Sequence, residues 1–414
     1  METVHETALA EAGTRPDGRI DLNAAMRSML ESLLNAVMDE QASELGAQRN
    51  GYRERSLDTC VGRVTLRIPK LREGTYFPSD IVERWSRTDT ALASAVCESW
   101  VAGVSTRKME RAASELGCER LSRSRVSRLC ASLDAEVDEM RGCDLSGSEW
   151  PYLWLDATYV PCREAGAARS TALVTAVACD LTATRRVVGV ERVDTESHQS
   201  WRSFLLSLRS RGLSGVRLVV SDAHEGLARA VREVMCGAAW QRCIAHLERN
   251  VMERCSRKGD GAGAVAALKA AFSESEPALV RAGYRRACEL LAEHDARGAE
   301  LLGAAEAAAL CYLDFPREHR VWIRTNNVQE RMNAEIKRRT RVVQVFPSPA
   351  ALVRLVGAVC CDQNDAWLGA PNFIDRRSLE PGCEPRAPAE PGPEERASVL
   401  TAVEEAFDRK RRAA

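Results

Sequence analysis

Apolar positions along the chain change their spacing from segment to segment, and the spacing predicts the elements. Over residues 21–48, Met26, Met29, Leu30, Leu33, Leu34 and Val37 recur at helical intervals, which predicts a helix with one face to bury. Val64-Thr65-Leu66-Arg67-Ile68 alternates and then meets Pro69, which predicts a short strand ending at a sheet edge. Residues 89–137 hold three short helical patterns. The first closes at Gly103, the second has Ser105 or Thr106 as cap and Gly117 as stop, and the third has Ser122 or Ser124 as cap. Short helices joined by a Gly-containing turn form a helix-turn-helix-like arrangement.

After a Gly/Ser/Asp linker at 142–150 the texture changes. Residues 152–160, 171–178 and 186–193 read as strands with short links, an antiparallel meander. A helix at 199–211 ends at Gly212, and the nearly all-apolar run 216–222 reads as a buried strand. A helix at 225–235, a strand at 240–245 and a helix at 247–256 follow. The order β-β-β-α-β-α-β-α is that of an RNase H-like domain. Residues 259–321 are Ala-rich and helical throughout, an all-helical insertion, and two more helices are expected at 326–340 and 348–361. From Pro371 onward six prolines predict a largely disordered tail. It carries a short helix near 396–411, whose Arg409-Lys410-Arg411-Arg412 end reads as solvated. The expected fold is α/β: an RNase H-like catalytic domain with an all-helical insertion, preceded by a helical helix-turn-helix DNA-binding region. The expected boundaries are 1–88, 89–141, 150–257, 258–321, 322–370 and 371–414.

Composition narrows the class. The 414 residues carry 58 Lys and Arg against 59 Asp and Glu, with 45% apolar and 28% charged residues. That suits an ordinary globular chain and excludes a uniformly basic binder, but not a local basic patch. Residues 51–130 hold 15 basic side chains against 10 acidic ones. No run approaches the roughly 20 apolar residues of a membrane span. The acidic N-terminus METVHETALAEAG lacks an apolar core, so no secretory signal is expected. The 15 cysteines include no C-x-x-C pair and are scattered, which predicts reduced thiols in a cytoplasmic protein. Only 6 of the basic residues are Lys, read here as codon bias in a GC-rich genome.

Two carboxylates stand out. Asp156 sits inside the apolar run Leu153-Trp154-Leu155, and Asp222 ends the run Leu218-Val219-Val220-Ser221. An Asp on a buried strand is costly unless paired, hydrogen-bonded or metal-bound. Either one alone is equally a strand-end turn former. Together, on adjacent strands, they favour a Mg²⁺ site, since hard cations take carboxylate oxygens. Arg123, Arg125 and Arg128 open the third short helix, as a recognition helix would, although any three-helix packing unit has the same look.

LWLDATYV, LVVSDAHEGL, WQRCIAHLERN and TNNVQERMNAEIKRRT resemble the mutator-type family of bacterial insertion-sequence transposases, over roughly residues 21–370. The resemblance implies a DDE triad: Asp156 first, Asp222 second and Glu330 third, separated by 66 and 108 positions. The long second gap fits the helical insertion. The family often reads Thr-Asn-Pro-hydrophobic-Glu-Arg where this chain has Asn327-Val328-Gln329 before Glu330. At 100° per residue Asn326, Glu330, Asn333 and Lys337 share one stripe, with Val328, Met332 and Ile336 roughly opposite and Glu335 at the apolar margin. That stripe is either functional or a solvated face. Cys243 and His246 match the family's C-x-x-H element. They read as support near Asp222, since no second pair completes a zinc site. His224 is either a phosphate or supporting contact or a plain turn residue. Trp201 and Trp240 read as core rather than as base-stacking platforms. Arg331, Lys337, Arg338, Arg339 and Arg341 form a basic stretch suited to phosphates or simply to water.

The resemblance implies two Mg²⁺ ions, with Mn²⁺ a possible substitute, and DNA as partner: terminal inverted repeats and a target. It implies cleavage and strand transfer by a homodimer or larger synaptic assembly at the bacterial nucleoid, without membrane contact. The alternatives are an RNase H-like nuclease and a catalytically silent transposase-derived DNA-binding protein.

Overall fold

The computed structural model describes residues 21–46, 48–81, 88–115, 121–164, 166–379 and 390–413. The N-terminal stretch read for a signal, the Gly117 stop, and Pro381, Pro385 and Pro388 lie outside the described residues. The chain forms two compact units, one of residues 1–135 with 338–343, the other of residues 136–337 and 344–414.

In the first unit, helix α1 (Leu22–Glu44) starts on an Asp21 cap and lies against an antiparallel hairpin, β1 (Arg49–Thr59) and β2 (Gly62–Leu71). Met38, Leu57, Val64, Leu66 and Ile68 form its core. Asn35 ties helix to hairpin, donating to the Thr65 carbonyl at 3.1 Å and accepting from the Arg67 amide at 2.7 Å. β2 continues through Pro69, where a strand end was expected. A two-stranded sheet has only edges, so the missing N–H costs no ladder bond if it faces outward.

Helices α2 (Thr90–Val101), α3 (Thr106–Glu115) and α4 (Arg123–Leu129) follow, with Leu92, Val96, Met109, Ala113, Val126 and Cys130 in a shared core. Ser122 is the cap of α4, accepting from the Arg125 amide. The single helical pattern over 122–137 is broken by a 3₁₀ turn at Cys130–Ser132 before α5 (Leu133–Gly142). There the Ser132 hydroxyl bonds the Leu129 carbonyl and competes with the helix ladder.

The second unit is built on a five-stranded mixed sheet, β3 (Tyr152–Glu164), β4 (Ala167–Cys179), β5 (Arg185–Val193), β6 (Leu218–Ser221) and β7 (Ala239–Arg242), in the order β5-β4-β3-β6-β7. β5, β4 and β3 pair antiparallel, whereas β3, β6 and β7 pair parallel. Helices α6 (His198–Ser210) and α7 (Glu225–Val234) cover one face, burying Leu153, Leu155, Trp201, Phe204, Leu205, Leu227 and Val231. Gly189 on β5 permits the approach, because a Cβ there would meet Phe204 and Leu208 at 2.9 Å. The segment read as a linker is pinned, Leu145 donating to the Arg211 carbonyl and Trp150 to that of Ser214.

Helices α8 (Ile244–Arg254), α9 (Lys258–Ser273), α10 (Pro277–Ala292) and α11 (Ala296–Ala309) form the helical segment after the sheet. Then come α12 (Arg317–Ile323), α13 (Asn327–Val343), whose residues 338–343 belong to the first unit, and α14 (Pro349–Leu368). The short helix expected near 396–411 is present and longer, and the solvated reading of its basic end is corrected at Arg411. Pro393–Ala413 is a helix, α15, burying Val399, Val403, Ala406 and Phe407 along α9 and α10. Arg411 closes it onto Asp260 at 2.7 Å. Pro393 opens that helix rather than breaking it, since the first helical position needs no N–H. No helix among the described residues is long and apolar enough to cross a membrane.

Candidate functional site

The parallel register brings two carboxylates to one level. β3 and β6 pair Tyr152 with Leu218, Leu153 with Val219 and Trp154 with Val220. Two positions past the last pair stand Asp156, and Asp222 just beyond β6. In open α/β sheets, the carboxyl ends of parallel strands are where ligands bind. One Asp156 oxygen accepts from the Ala157 amide at 2.8 Å and the other from Asn333 Nδ2 at 2.7 Å. Burial pushes the Asp156 carboxyl up to about 7, and the charges of Asp222, Glu196 and Glu330 push the same way.

Helix α13 is laid across this strand end by its own polar side chains. Asn326 Nδ2 donates to the Leu155 carbonyl at 3.0 Å, and Gln329 Nε2 donates to the carbonyls of Trp154 at 2.8 Å and Thr175 at 3.2 Å. Thr175 Oγ1 returns a bond to Gln329 Oε1 at 3.1 Å. Asn326, Gln329 and Asn333 are therefore buried, as are Val328, Met332 and Ile336. Asn326 and Gln329 thus face backbone carbonyls and Asn333 the Asp156 carboxylate, while Glu330 is half-buried. Lys337 is the exposed end of the stripe.

Glu330 sits on this helix and is ion-paired with Arg249 of α8, with His246 Nε2 at 4.0 Å. Burial first, and the Arg249 charge second, lower the His246 pKa. Its Nδ1 is buried without a partner. Cys243 links three segments: its amide donates to the Ser221 carbonyl at 2.7 Å, and its Sγ accepts from the Asn326 amide at 3.2 Å. Burial raises its thiol pKa. His224 is the cap of α7, its Nδ1 accepting from the Leu227 amide at 3.2 Å. Trp201 is fully buried, and Trp240 donates to Ser221 Oγ.

Among the described residues, no three His, Cys, Asp or Glu side chains converge as the ligands of one ion would. Glu330 is turned onto Arg249, yet its charge is felt at Asp156.

The basic residues divide by environment. Arg123, Arg128, Arg331 and Lys337 are exposed. Arg125 is not available to a phosphate: its guanidinium meets Asp58 at 2.5 Å and Thr88 at 2.9 Å inside the first unit, and it is 15% exposed. Its assignment to DNA is corrected accordingly. Arg338 and Arg339 donate to the carbonyls of Ala102 and Val101, closing the end of α2. Gln329 and Arg249 are the site-facing residues that sequence reading passes over. A Gln three residues after Asn326 on the same stripe margin was the available signal for the first, and the second lies in no pattern.

The family described as Transposase, Mutator family, matches residues 10–370. The chain is 36% identical over 353 residues to the transposase for insertion sequence element IS1081 of Mycobacterium tuberculosis, covering 85% of this chain and 84% of the relative. It is 34% identical to the transposase for insertion sequence element ISRM5 of Rhizobium meliloti, covering 88% and 92%. It is 32% identical to the transposase for insertion sequence element IS256 in transposon Tn4001 of Staphylococcus aureus, covering 84% and 88%. Relatives named as insertion-sequence transposases thus align over both the acid-bearing strands and helix α13, and the chain belongs to the Mutator family of transposases.

Proposed function

We propose that the protein is a DDE transposase that binds the terminal inverted repeats of its element and catalyses Mg²⁺-dependent cleavage and strand transfer. The observation that carries this reading is the level placement of Asp156 and Asp222 on adjacent parallel strands beneath helix α13. The sheet order, three antiparallel strands followed by parallel ones, supports an RNase H-like catalytic domain. The α2–α4 unit, with Arg123 and Arg128 exposed, supports a helix-turn-helix reader of DNA.

The donors fit a hard divalent cation. Asp156, Asp222 and Glu330 offer carboxylate oxygens, and Asn333 Oδ1 is a buried acceptor with no donor. When bound, Mg²⁺ would stabilise charge at the scissile phosphate and activate water. Asn333 orients Asp156, while Asn326 and Gln329 hold the helix that carries Glu330. Arg249 neutralises Glu330 until a ligand claims it. Exposed Arg331 and Lys337 offer phosphate contacts whose strength falls with salt. Water attacks the scissile phosphodiester and releases a 3′-OH, leaving a 5′-phosphate on the other fragment. That 3′-OH then attacks a target phosphorus and displaces the target strand's own 3′-oxygen, so one P–O bond breaks for each one formed. No enzyme–DNA bond forms, so no Ser or Tyr nucleophile is assigned. A dimer or larger assembly, needed to join two ends, and a place at the nucleoid belong to the same reading.

The test is Mg²⁺-dependent cutting of DNA carrying the element's ends. Asp156→Asn and Asp222→Asn should abolish it and leave end-binding intact. Near wild-type cutting by either variant sinks the triad.

A further inference from the structure

Arg185 opens β5, and none of the four motifs contains it. Its guanidinium is stacked on two rings, 4.4 Å from the centroid of Phe373 and 5.1 Å from that of Trp367, near the end of α14. Phe373 is held edge-on in turn by Trp322 at 5.4 Å and by Trp154 at 6.1 Å. The rings take the faces of the guanidinium and leave its N–H edge.

Among the described residues that edge meets no carboxylate and no carbonyl. Arg185 is half-buried, yet none of its nitrogens is a buried atom lacking a partner, so the free edge opens to solvent. Other half-buried arginines of this unit spend that edge on the fold. Arg211 donates to the carbonyls of Cys143, Val188 and Met140, Arg320 to those of Phe315 and Ser275, and Arg324 to that of Phe272. Arg185 is instead gripped by its faces with its donors turned outward, the arrangement that takes a phosphate in a two-pronged grip.

Its place in the sheet points to the phosphate of a bound strand. Cys179 of β4 pairs with both Arg185 and Tyr152, so Arg185 lies on the same sheet face as Tyr152, Trp154 and Asp156, the face that α13 crosses. Asp156 stands four positions past Tyr152, roughly 13 Å along the strands and roughly 10 Å across two strand spacings from Arg185. That span is too long for the scissile phosphate and suits another on the same strand. Burial and the charge of Arg331, on α13, both lower the Arg185 pKa, and no carboxylate offsets them.

We propose that Arg185 is a DNA-binding residue, its fork held by Phe373 and Trp367 to grip a backbone phosphate that flanks the one cut at Asp156. This rests on the DNA-cutting reading above. The competing account is a brace, in which Arg185 only pins the end of α14 and Phe373 to β5.

Binding of an end-bearing duplex to the full-length protein in EDTA, titrated across a range of KCl, separates the two. Arg185→Gln should weaken binding about tenfold and lower the slope of log K against log salt by about 1. Arg185→Lys keeps the charge without the fork, so it should keep the slope. A Gln variant with wild-type affinity and slope, or a Lys variant that loses the slope as the Gln variant does, identifies a brace and overturns the proposal. The wild-type chain gives a readout that no folding defect can blur. With the duplex at ten times its Kd, phenylglyoxal modification of Arg185, followed by peptide mass spectrometry, should slow about tenfold, and an unslowed reaction overturns the proposal. If the wild type binds and cuts the duplex while Arg185→Gln keeps the slope, only Arg185 is wrong. If the wild type neither binds nor cuts it, the reading beneath is wrong as well.

Discussion

Asn333 Nδ2 donates to Asp156 Oδ2 at 2.7 Å, joining helix α13 to the middle strand of the sheet. The bond fixes which way the carboxylate turns. Asn333→Ala should therefore cut Mg²⁺-dependent cleavage about 10–100-fold, with end-binding unchanged. A cleavage time course beside a gel-shift titration reads both, and unchanged cleavage removes Asn333 from the site.

Asp156 also sets a stability term of known sign. Its native carboxyl titrates near 7 against an ordinary value of 3.8, so the ionised form burdens the fold at neutral pH and above. In EDTA, Asp156→Asn should melt higher than wild type at pH 8, by an equivalent of about 1–3 kcal/mol. The advantage is full above pH 7, shrinks as pH falls from 7 towards 3.8, and is absent below. Thermal melts across that range check it; an Asn variant that melts lower at pH 8 contradicts it.

Glu330 and Glu335 are five residues apart on α13, about 140° around the helix, so one metal pair cannot draw on both. Glu330→Gln should abolish cleavage and strand transfer. Glu335→Gln should keep most activity and lose about 1 kcal/mol of stability at most. Parallel assays decide, and a dead Glu335→Gln beside an active Glu330→Gln would rotate the catalytic assignment to the other carboxylate.

The arginines of α4 should separate by function. Burial works against the Asp58 carboxylate, but the hydrogen bonds of Arg63 and Arg125 outweigh it and bring its pKa below the usual range. That contribution is present above the unfolded carboxylate value and is lost as pH falls through the native one. Arg125→Ala leaves Asp58, 3% exposed, short of a partner and should destabilise the first unit by about 1–3 kcal/mol. Arg123→Ala with Arg128→Ala should leave the melt unchanged and lower the salt slope of end-binding. A salt slope that moves with Arg125→Ala alone, at unchanged Tm, reverses the division.

The place of Asp156 and Asp222 in apolar strand runs was legible because an acid there is conspicuous, and the order of strands and helices along the chain followed from spacing. The face of α13 was not. Periodicity separates Asn326, Glu330 and Asn333 from Val328 and Met332, but it cannot tell water from the carbonyls of Leu155 and Trp154, which only the folded sheet presents. Arg125 looked like a DNA contact because Asp58, its partner, lies 67 positions away. The last helix was legible near 396–411, but its start at Pro393 was not, nor was the Asp260 partner of Arg411, 151 positions away.

That last helix bears on how the protein can be shortened. The family match stops at residue 370, which invites a trimmed version ending there. Yet α15 rides in a glycine-lined trough on α9, where a Cβ at Gly259 would meet the Arg411 carbonyl at 2.8 Å and one at Gly263 the Phe407 carbonyl at 3.0 Å. Trimming would strip the lid from that trough, leave Asp260 facing water without Arg411, and bare an oily groove prone to clumping. The segment outside the shared family region is thus part of the domain's wall, and its glycines and its Phe407 must be inherited as a set.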